Sequence, residues 1–365
     1  MDLASQSAQQ NRRSATHNRC FKTSIIIVNY NAGERLLHCL SGVVRSAVNS
    51  EILVVDNAST DQVADLIEVK FPQVTLIRSE TNLGFGAGCN LAASRARSEY
   101  LIFLNPDTTV EDGWLEGLIR PLRQDAKAGM VTAKILLASD PNRINTCGNT
   151  IHITGIAMCR GFGLSPDDFN HPQEVAAVSG AAFAIRRHLY ELLGGFDEEM
   201  FLYMEDTDLS CRARLAGWRC LYSPESVVRH DYELKMTPLK VFYQERNRYL
   251  MLFKILRWPT LVILLPVQIV AELMAWGFVL LRDRANISNK IRAYGWIVAN
   301  WRYVIKQRRA AQILREIPDR CLLRSTEFTL DFDQVSGGFV ASLARWVLTP
   351  VFFVLRTATM AVVWW

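Results

Sequence analysis

Four short apolar runs alternate with helical stretches across the first third of the chain, and that alternation leaves few folds open. "SIIIVN", "EILVVD", "VTLIRS" and "YLIFLN" are near-continuous and rich in β-branched residues. Strands buried on both faces of a parallel sheet have this composition. Helical periodicity fills the gaps at about 34–48, through Leu66, at 86–97 and at 114–122. The order predicts an α/β domain with a mostly parallel central sheet. After Lys134 the pattern loosens, with Gly and Pro scattered over 140–172. "EVAAVSGAAFAIRR" then predicts a strand carrying small residues, and "VVRH" a last short one.

A chain of 365 residues, half of them hydrophobic, can bury a sizeable core. A net charge of +5 gives nucleic-acid binding no support. The eight cysteines form no CxxC pair, so free thiols in a reducing compartment are expected rather than a metal cluster or disulfide framework. Residues 1–22 are polar and read as a disordered lead-in without a secretory signal. A soluble α/β domain is expected over 23–235 and an apolar, basic helical region over 236–365.

In open α/β sheets ligands bind beyond the carboxyl ends of the strands. Here those ends carry Asn29, Tyr30 and Asn31, then Asp56 and Asn57, then Asn82 and Gly84, then Asn105 and Asp107. Turn chemistry accounts for any one such end. Four in succession point to a nucleotide site. "NLGFGAGCN" is glycine-rich, which suits close backbone approach to a ligand. Its GxGxG spacing after the third strand is not the dinucleotide fingerprint, which follows the first. In "LNPDTTV", Pro106 stops the strand and Asp107 projects past it, where a carboxylate can hold a divalent cation under a diphosphate.

"FLYMEDTDLSCRARLAGW" places Glu205, Asp206 and Asp208 within four residues. Leu209, Ala213 and Ala216 keep helical spacing and Gly217 is a C-terminal stop. Local chemistry gives Asp206 or Thr207 a capping role and pairs Asp208 with Arg212. That leaves acid to spare. A general base flanked by Phe201 and Tyr203 on the acceptor side would employ it. His230, ending "VVRH", is either structural or a second ligand to a cation held by Asp107.

Together, "SIIIVNYN", "VVDNAST", "NLGFGAGCN", "LNPDTTV" and "GGFDEEMFLYMEDTDLSCRARLAGW" resemble a family 2 glycosyltransferase of the GT-A fold, within it the rhamnosyltransferase-like branch. The likeness covers about 24–230. It implies an inverting transferase using a nucleotide-diphosphate sugar, best matched by dTDP-L-rhamnose, with Mg²⁺ or Mn²⁺. The resemblance implies Asn29, Tyr30, Asn31, Asp56, Asn82, Gly84 and Asn105 on the donor side. It implies Asp107 as metal ligand in a DXD-like "NPD", and His230 as a further one. Asp206 matches the family's catalytic base, with Glu205 beside it. The implied acceptor is a lipid-linked saccharide, as in cell-surface polysaccharide synthesis. "DYELKM" after His230 departs from the family's usual continuation. A UDP-hexose donor is the alternative within the family. A silent sugar-nucleotide-binding module would not need Asp206, and a nucleotidyltransferase would show a basic loop near the first strand, where only Arg35 stands.

The C-terminal region adds a membrane expectation. Residues 258–281 hold one charge, Glu272, and residues 338–365 are interrupted by Arg345 and Arg356. Between them, 282–324 carries eleven Lys or Arg against three acids, a net +8. A single crossing by the first stretch would put that charge outside, against the positive-inside tendency. Attachment to the cytoplasmic face of the inner membrane is expected instead, with the apolar stretches interfacial or re-entrant and the basic segment on anionic headgroups. The competing expectation is the core of a soluble helical subdomain.

Overall fold

A computed structural model describes residues 22–232, 237–331 and 339–365. The expected lead-in therefore lies outside the described residues, apart from Lys22, as does most of "DYELKM". Seven longer strands carry the main sheet: β1 Thr23–Asn29, β2 Glu51–Asn57, β3 Thr75–Ser79, β4 Tyr100–Leu104, β5 Ala128–Leu137, β6 Ala182–Arg186 and β7 Arg219–His230. Their order is β7-β5-β6-β4-β1-β2-β3, with short strands at the β7 side. The four strands β4-β1-β2-β3 are mutually parallel, and β6 enters antiparallel between β4 and β5.

The apolar runs are continuous because both faces of the sheet are covered. Ile25 and Ile27 join Val54 on one face, packed against helices Glu34–Ser46 and Trp114–Gln124 through Leu36, Leu40, Trp114 and Leu118. Ile26 and Val28 join Leu53 and Val55 on the other, with Phe103, Phe183 and Phe196. The predicted strand in "EVAAVSGAAFAIRR" is shorter than expected. Regular pairing begins only at Ala182, because the backbone of Val178 and Gly180 is drawn to Ser210 and Asp206 instead.

A third core joins the C-terminal helices to the acidic helix Glu205–Leu215. Met200, Met204, Cys211 and Leu215 pack there with Leu250, Met251, Leu264, Ile297 and Phe352. The apolar stretch 258–281 is not one helix. It breaks at Leu264, just before Pro266, into Trp258–Ile263 and Leu265–Arg282. Its one acid, Glu272, turns inward to Arg248 at 2.7 Å and Lys290 at 3.0 Å.

Candidate functional site

The loops after β1 and β2 are laced together before any ligand arrives. Asn29 pairs in register with Asp56 and donates from Nδ2 to Asp56 Oδ1 at 3.2 Å and to Ser59 Oγ at 3.0 Å. Asn31, at φ 55°, accepts from the Thr60 backbone N–H at 2.7 Å, and Asp61 Oδ2 accepts from the Gly33 N–H at 2.8 Å. Asn29 and Asn31 thus brace the cradle with their own side chains. Asp56 is buried, and its Oδ2 takes no protein hydrogen bond among the described residues. That leaves an acceptor for a ligand. Tyr30 is exposed beside it.

Asn82 accepts on Oδ1 from Asn57 Nδ2 at 3.0 Å and from the Gly84 N–H at 2.9 Å, and Asn57 also donates to the Gly84 carbonyl. The glycine-rich turn is therefore tied down by a residue whose part in this network its sequence position alone did not disclose. The turn makes a close approach to the protein itself. Gly84 has φ +82°, and a Cβ there would lie 2.5 Å from the Phe201 carbonyl, which accepts from the Phe85 N–H. Gly88 meets Val28 in the same way, at 2.8 Å. Bare backbone is needed so that this turn can seat the loop leading to Glu205.

Asp107 and His230 are far apart in sequence and adjacent in space. The short strand Thr108–Val110 pairs antiparallel with β7, setting His230 opposite Thr108, and the Asp231 N–H donates to the Asp107 carbonyl at 3.0 Å. His230 Nε2 stands 3.3 Å from Asp107 Oδ1 and 3.4 Å from Asn105 Nδ2. Its Nδ1 lies 2.9 Å from Asn145 Oδ1, which assigns the proton to Nδ1 and the lone pair to Nε2. Asp107 Oδ1 is sealed from solvent without a well-formed hydrogen bond. Burial pushes the Asp107 carboxyl up, but a second proton on His230, at Nε2, would through hydrogen bond and charge bring it net below its usual value. A lone pair and a carboxylate oxygen at this separation repel unless a proton or a cation lies between them. Adjacent ligands around an octahedral Mg²⁺ or Mn²⁺ are about 3 Å apart, so the pair fits such an ion. Among the described residues no third His, Cys, Asp or Glu converges there. Diphosphate oxygens and water would have to complete the coordination.

The acidic helix begins at Glu205 behind a strained entry. Phe201, Tyr203 and Met204 have φ of 59°, 66° and 69°. Asn247 holds this entry, donating from Nδ2 to the carbonyls of Met200, Leu202 and Tyr203 at 2.9, 3.1 and 2.7 Å. Neither Asp206 nor Thr207 caps the helix. Met204 occupies that position in a left-handed conformation, with no side-chain bond. At the far end Gly217 (φ +76°) closes the helix as expected, its N–H bonding Arg214 while that of Trp218 bonds Ala213.

Each acid in the cluster has a different fate. Asp208 is fully buried against Arg212 at 2.8 Å, as its spacing predicted, and also against Lys254 at 2.6 Å. Glu205 is 7% exposed with Oε2 unpaired, and burial followed by the Asp206 charge pushes its carboxyl up to about 8. Asp206 accepts on Oδ2 from the Gly180 N–H at 2.7 Å and Asn149 Nδ2 at 3.2 Å. Its Oδ1 accepts from the Thr207 N–H at 2.6 Å and Thr207 Oγ1 at 3.1 Å. Burial raises it, and those donors work the other way. Gly180 is followed by Ala181, whose carbonyl accepts from the Asn105 N–H at 3.0 Å. Two consecutive residues thus connect Asp206 to the turn that carries Asp107. Sequence reasoning missed Asn145, Asn149 and Gly180. Small residues around Gly180 were the one visible signal, since a Cβ there would already stand 3.3 Å from Asp206 Oδ2.

The model of "Glycosyl transferase family 2" matches residues 24–192. The chain is 27% identical over 232 residues to N-acetylglucosaminyl-diphospho-decaprenol L-rhamnosyltransferase of Mycobacterium tuberculosis, covering 56% of this chain and 75% of the relative. In fold it is similar to S. aureus TarS 1–349 in complex with UDP-GlcNAc, with TM-score 0.55, 16% identity, and coverage of 93% of this chain and 89% of that one. GalNAc-T7 with UDP, GalNAc and Mn²⁺ is also similar, with TM-score 0.52, 18% identity and coverage of 65% of this chain. The chain spans about half of GalNAc-T7, 48%. The sheet has the GT-A fold, and residues 24–192 match the glycosyl transferase family 2 model.

Proposed function

We propose that the protein is an inverting glycosyltransferase that moves L-rhamnose from dTDP-L-rhamnose to a hydroxyl of a lipid-linked saccharide. The observation that carries the chemistry is the Gly180–Ala181 link, which couples a carboxylate with hydrogen-bonded oxygens to an acid–histidine pair suited to a cation. The donor's base lies against Asp56, in the cradle braced by Asn29, Asn31 and Asn82. Asp107 and His230 would hold Mg²⁺ or Mn²⁺, and such an ion, when bound, neutralises charge developing on the departing diphosphate. Asp206 orients the acceptor hydroxyl and takes its proton as the hydroxyl oxygen bonds to the anomeric carbon and the bond to the nucleotide diphosphate breaks. Its two longest hydrogen bonds, from Asn149 and the Thr207 hydroxyl, are the ones an incoming hydroxyl displaces. Glu205, neutral at pH 7, leaves Asp206 the one charge at this end of the helix able to act as base. The rhamnosyl donor and the diphospholipid acceptor are supported by the mycobacterial relative. Nucleotide release measured over a panel of nucleotide sugars tests this reading. dTDP-rhamnose should be turned over fastest, and faster release from UDP-hexoses would overturn the donor assignment.

We also propose attachment to the cytoplasmic face of the inner membrane, with 23–235 catalytic and 236–365 attaching. Trp258, Val262, Leu265, Ile269 and Leu273 are exposed at helical spacing while Gln268 and Glu272 turn inward to Arg248. An interfacial helix has this division. Among the described residues one helical segment, Arg345–Val362, is long and apolar enough to cross a membrane, and it is 11% buried. The basic segment contributes less surface charge than its composition implied. Lys290, Arg308, Arg315 and Arg320 are spent inside on carboxylates or carbonyls. Arg302, Lys306 and Arg309 remain beside Trp301 and Ile305 around a shallow depression, a grouping suited to anionic headgroups.

A further inference from the structure

Among the described residues, one cation near the site has no carboxylate and no hydrogen-bond acceptor for its side chain. Lys240 lies in the first turn of helix Pro238–Ile255 and is 7% exposed. The other deeply buried lysines among the described residues are all satisfied. Lys134 donates to the Pro166 carbonyl at 3.1 Å and Asn170 Oδ1 at 2.8 Å, Lys254 meets Asp197 and Asp208 at 2.6 Å, and Lys290 meets Glu245 at 3.0 Å. Lys240 Nζ has only two rings, with the centre of Tyr203 at 5.5 Å and that of Tyr232 at 5.9 Å. Among the described residues neither a carboxylate nor a hydrogen-bond acceptor is paired with it, and the Cys159 thiol is its electrostatic neighbour.

The two rings give the position its meaning. Tyr203 is two residues before Glu205, in the strained entry to the acidic helix. Tyr232 is two residues after His230, and the two rings are 5.6 Å apart. The ammonium therefore stands between the loop of the base and the strand of the cation pair. Aromatic faces attract a cation but leave its three N–H donors unfilled. The side chain is largely buried but Nζ is not sealed from solvent, so its donors are open to a ligand that supplies acceptors. Burial accordingly pulls Lys240 below the usual lysine value. Phosphate oxygens are the acceptors that a mobile point charge serves best.

We propose that Lys240 is a phosphate-binding residue of this site, its ammonium donating to a diphosphate oxygen of a bound substrate. The proposal rests on the glycosyltransferase reading. Two substrates would bring that chemistry, the nucleotide donor and an acceptor saccharide carried on a lipid diphosphate.

The test uses the full chain and the variants Lys240→Met and Lys240→Arg, with matching melting midpoints as the check on folding. Calorimetric titration with dTDP and with UDP is run in Mn²⁺ and again in EDTA. If the donor supplies the diphosphate, Lys240→Met weakens nucleoside-diphosphate binding about ten- to a hundredfold in both conditions, and Lys240→Arg recovers most of it. If the acceptor supplies it, nucleotide affinity is unchanged, and KM for a polyprenyl-diphosphate-linked saccharide rises about tenfold at constant donor KM. Folded Lys240→Met with unchanged nucleotide affinity and unchanged acceptor KM would overturn the proposal alone. Wild-type protein that binds neither nucleotide would remove the glycosyltransferase reading and this proposal together.

Discussion

Asp107 and Glu205 are both acids held largely out of water, and their surroundings drive them in opposite directions. Asp107 has the His230 ring 3.3 Å away and is drawn below the ordinary carboxylate range despite its burial. Glu205 has no cation and two acidic neighbours, and is pushed up to about 8. The first is held in the charged form that the proposed cation would need. The second is kept neutral, which spares Asp206 a second negative charge beside it. Residue type alone would have made the two interchangeable. A histidine distant in sequence lowers the first, while burial and then acids of its own helix raise the second.

Removing the charged acid has the largest expected effect. Asp107→Ala should bring transfer close to background, and chelation by EDTA should do the same to the wild type. Full activity in EDTA would sink the cation assignment. Asp206→Asn comes next, keeping the shape but not the proton acceptor, and should slow turnover about a hundred- to ten-thousandfold. Normal turnover by Asp206→Asn with a dead Glu205→Gln would exchange their roles.

A subtler effect follows from the neutral acid. Glu205 holds its proton up to about pH 8 when folded and releases it near 4.5 when unfolded. Between those values the folded state binds more protons, so this residue's contribution to stability falls as pH rises and levels off above about 8. Glu205→Gln cannot titrate. Its melting midpoint relative to wild type should climb from about pH 5 to pH 8, and a constant difference would contradict the neutral assignment. The smallest effect is expected at the far end of the chain. Trp346, 78% exposed, should on replacement by Ala reduce binding to anionic vesicles severalfold and leave nucleotide binding intact. Loss of both together would mean that Trp346 supports the fold.

The sequence disclosed the parallel half of the sheet because its determinants are local. A strand such as Thr23–Asn29 is apolar throughout since both faces are covered, and the polar residues at its end stand where the chain turns. Asp208 and Arg212 were legible for the same reason, one helical turn apart. Asn145, Asn149 and Gly180 were not legible. Asn149 reaches Asp206 across 57 positions and Asn145 reaches His230 across 85, and no periodicity encodes such pairings. Asn82 and the glycines were found, but not what the glycines pack against. Their spacing announced close backbone approach, yet what approaches Gly84 is Phe201, 117 positions on. The C-terminal helix break at Leu264 was half visible in Pro266, while the inward turn of Glu272 depends on Arg248 and Lys290.

The division of labour between the two acidic centres can be measured directly by titrating dTDP-rhamnose into wild type, Asp107→Asn and Asp206→Asn, each with Mn²⁺ and with EDTA, alongside single-turnover rates. Donor affinity should depend on Mn²⁺ in the wild type and in Asp206→Asn, and lose that dependence only in Asp107→Asn. Asp206→Asn should bind as the wild type does and turn over at least about a hundredfold more slowly. Mn²⁺-dependent donor binding that survives in Asp107→Asn, or donor binding that fails in Asp206→Asn, would contradict the account.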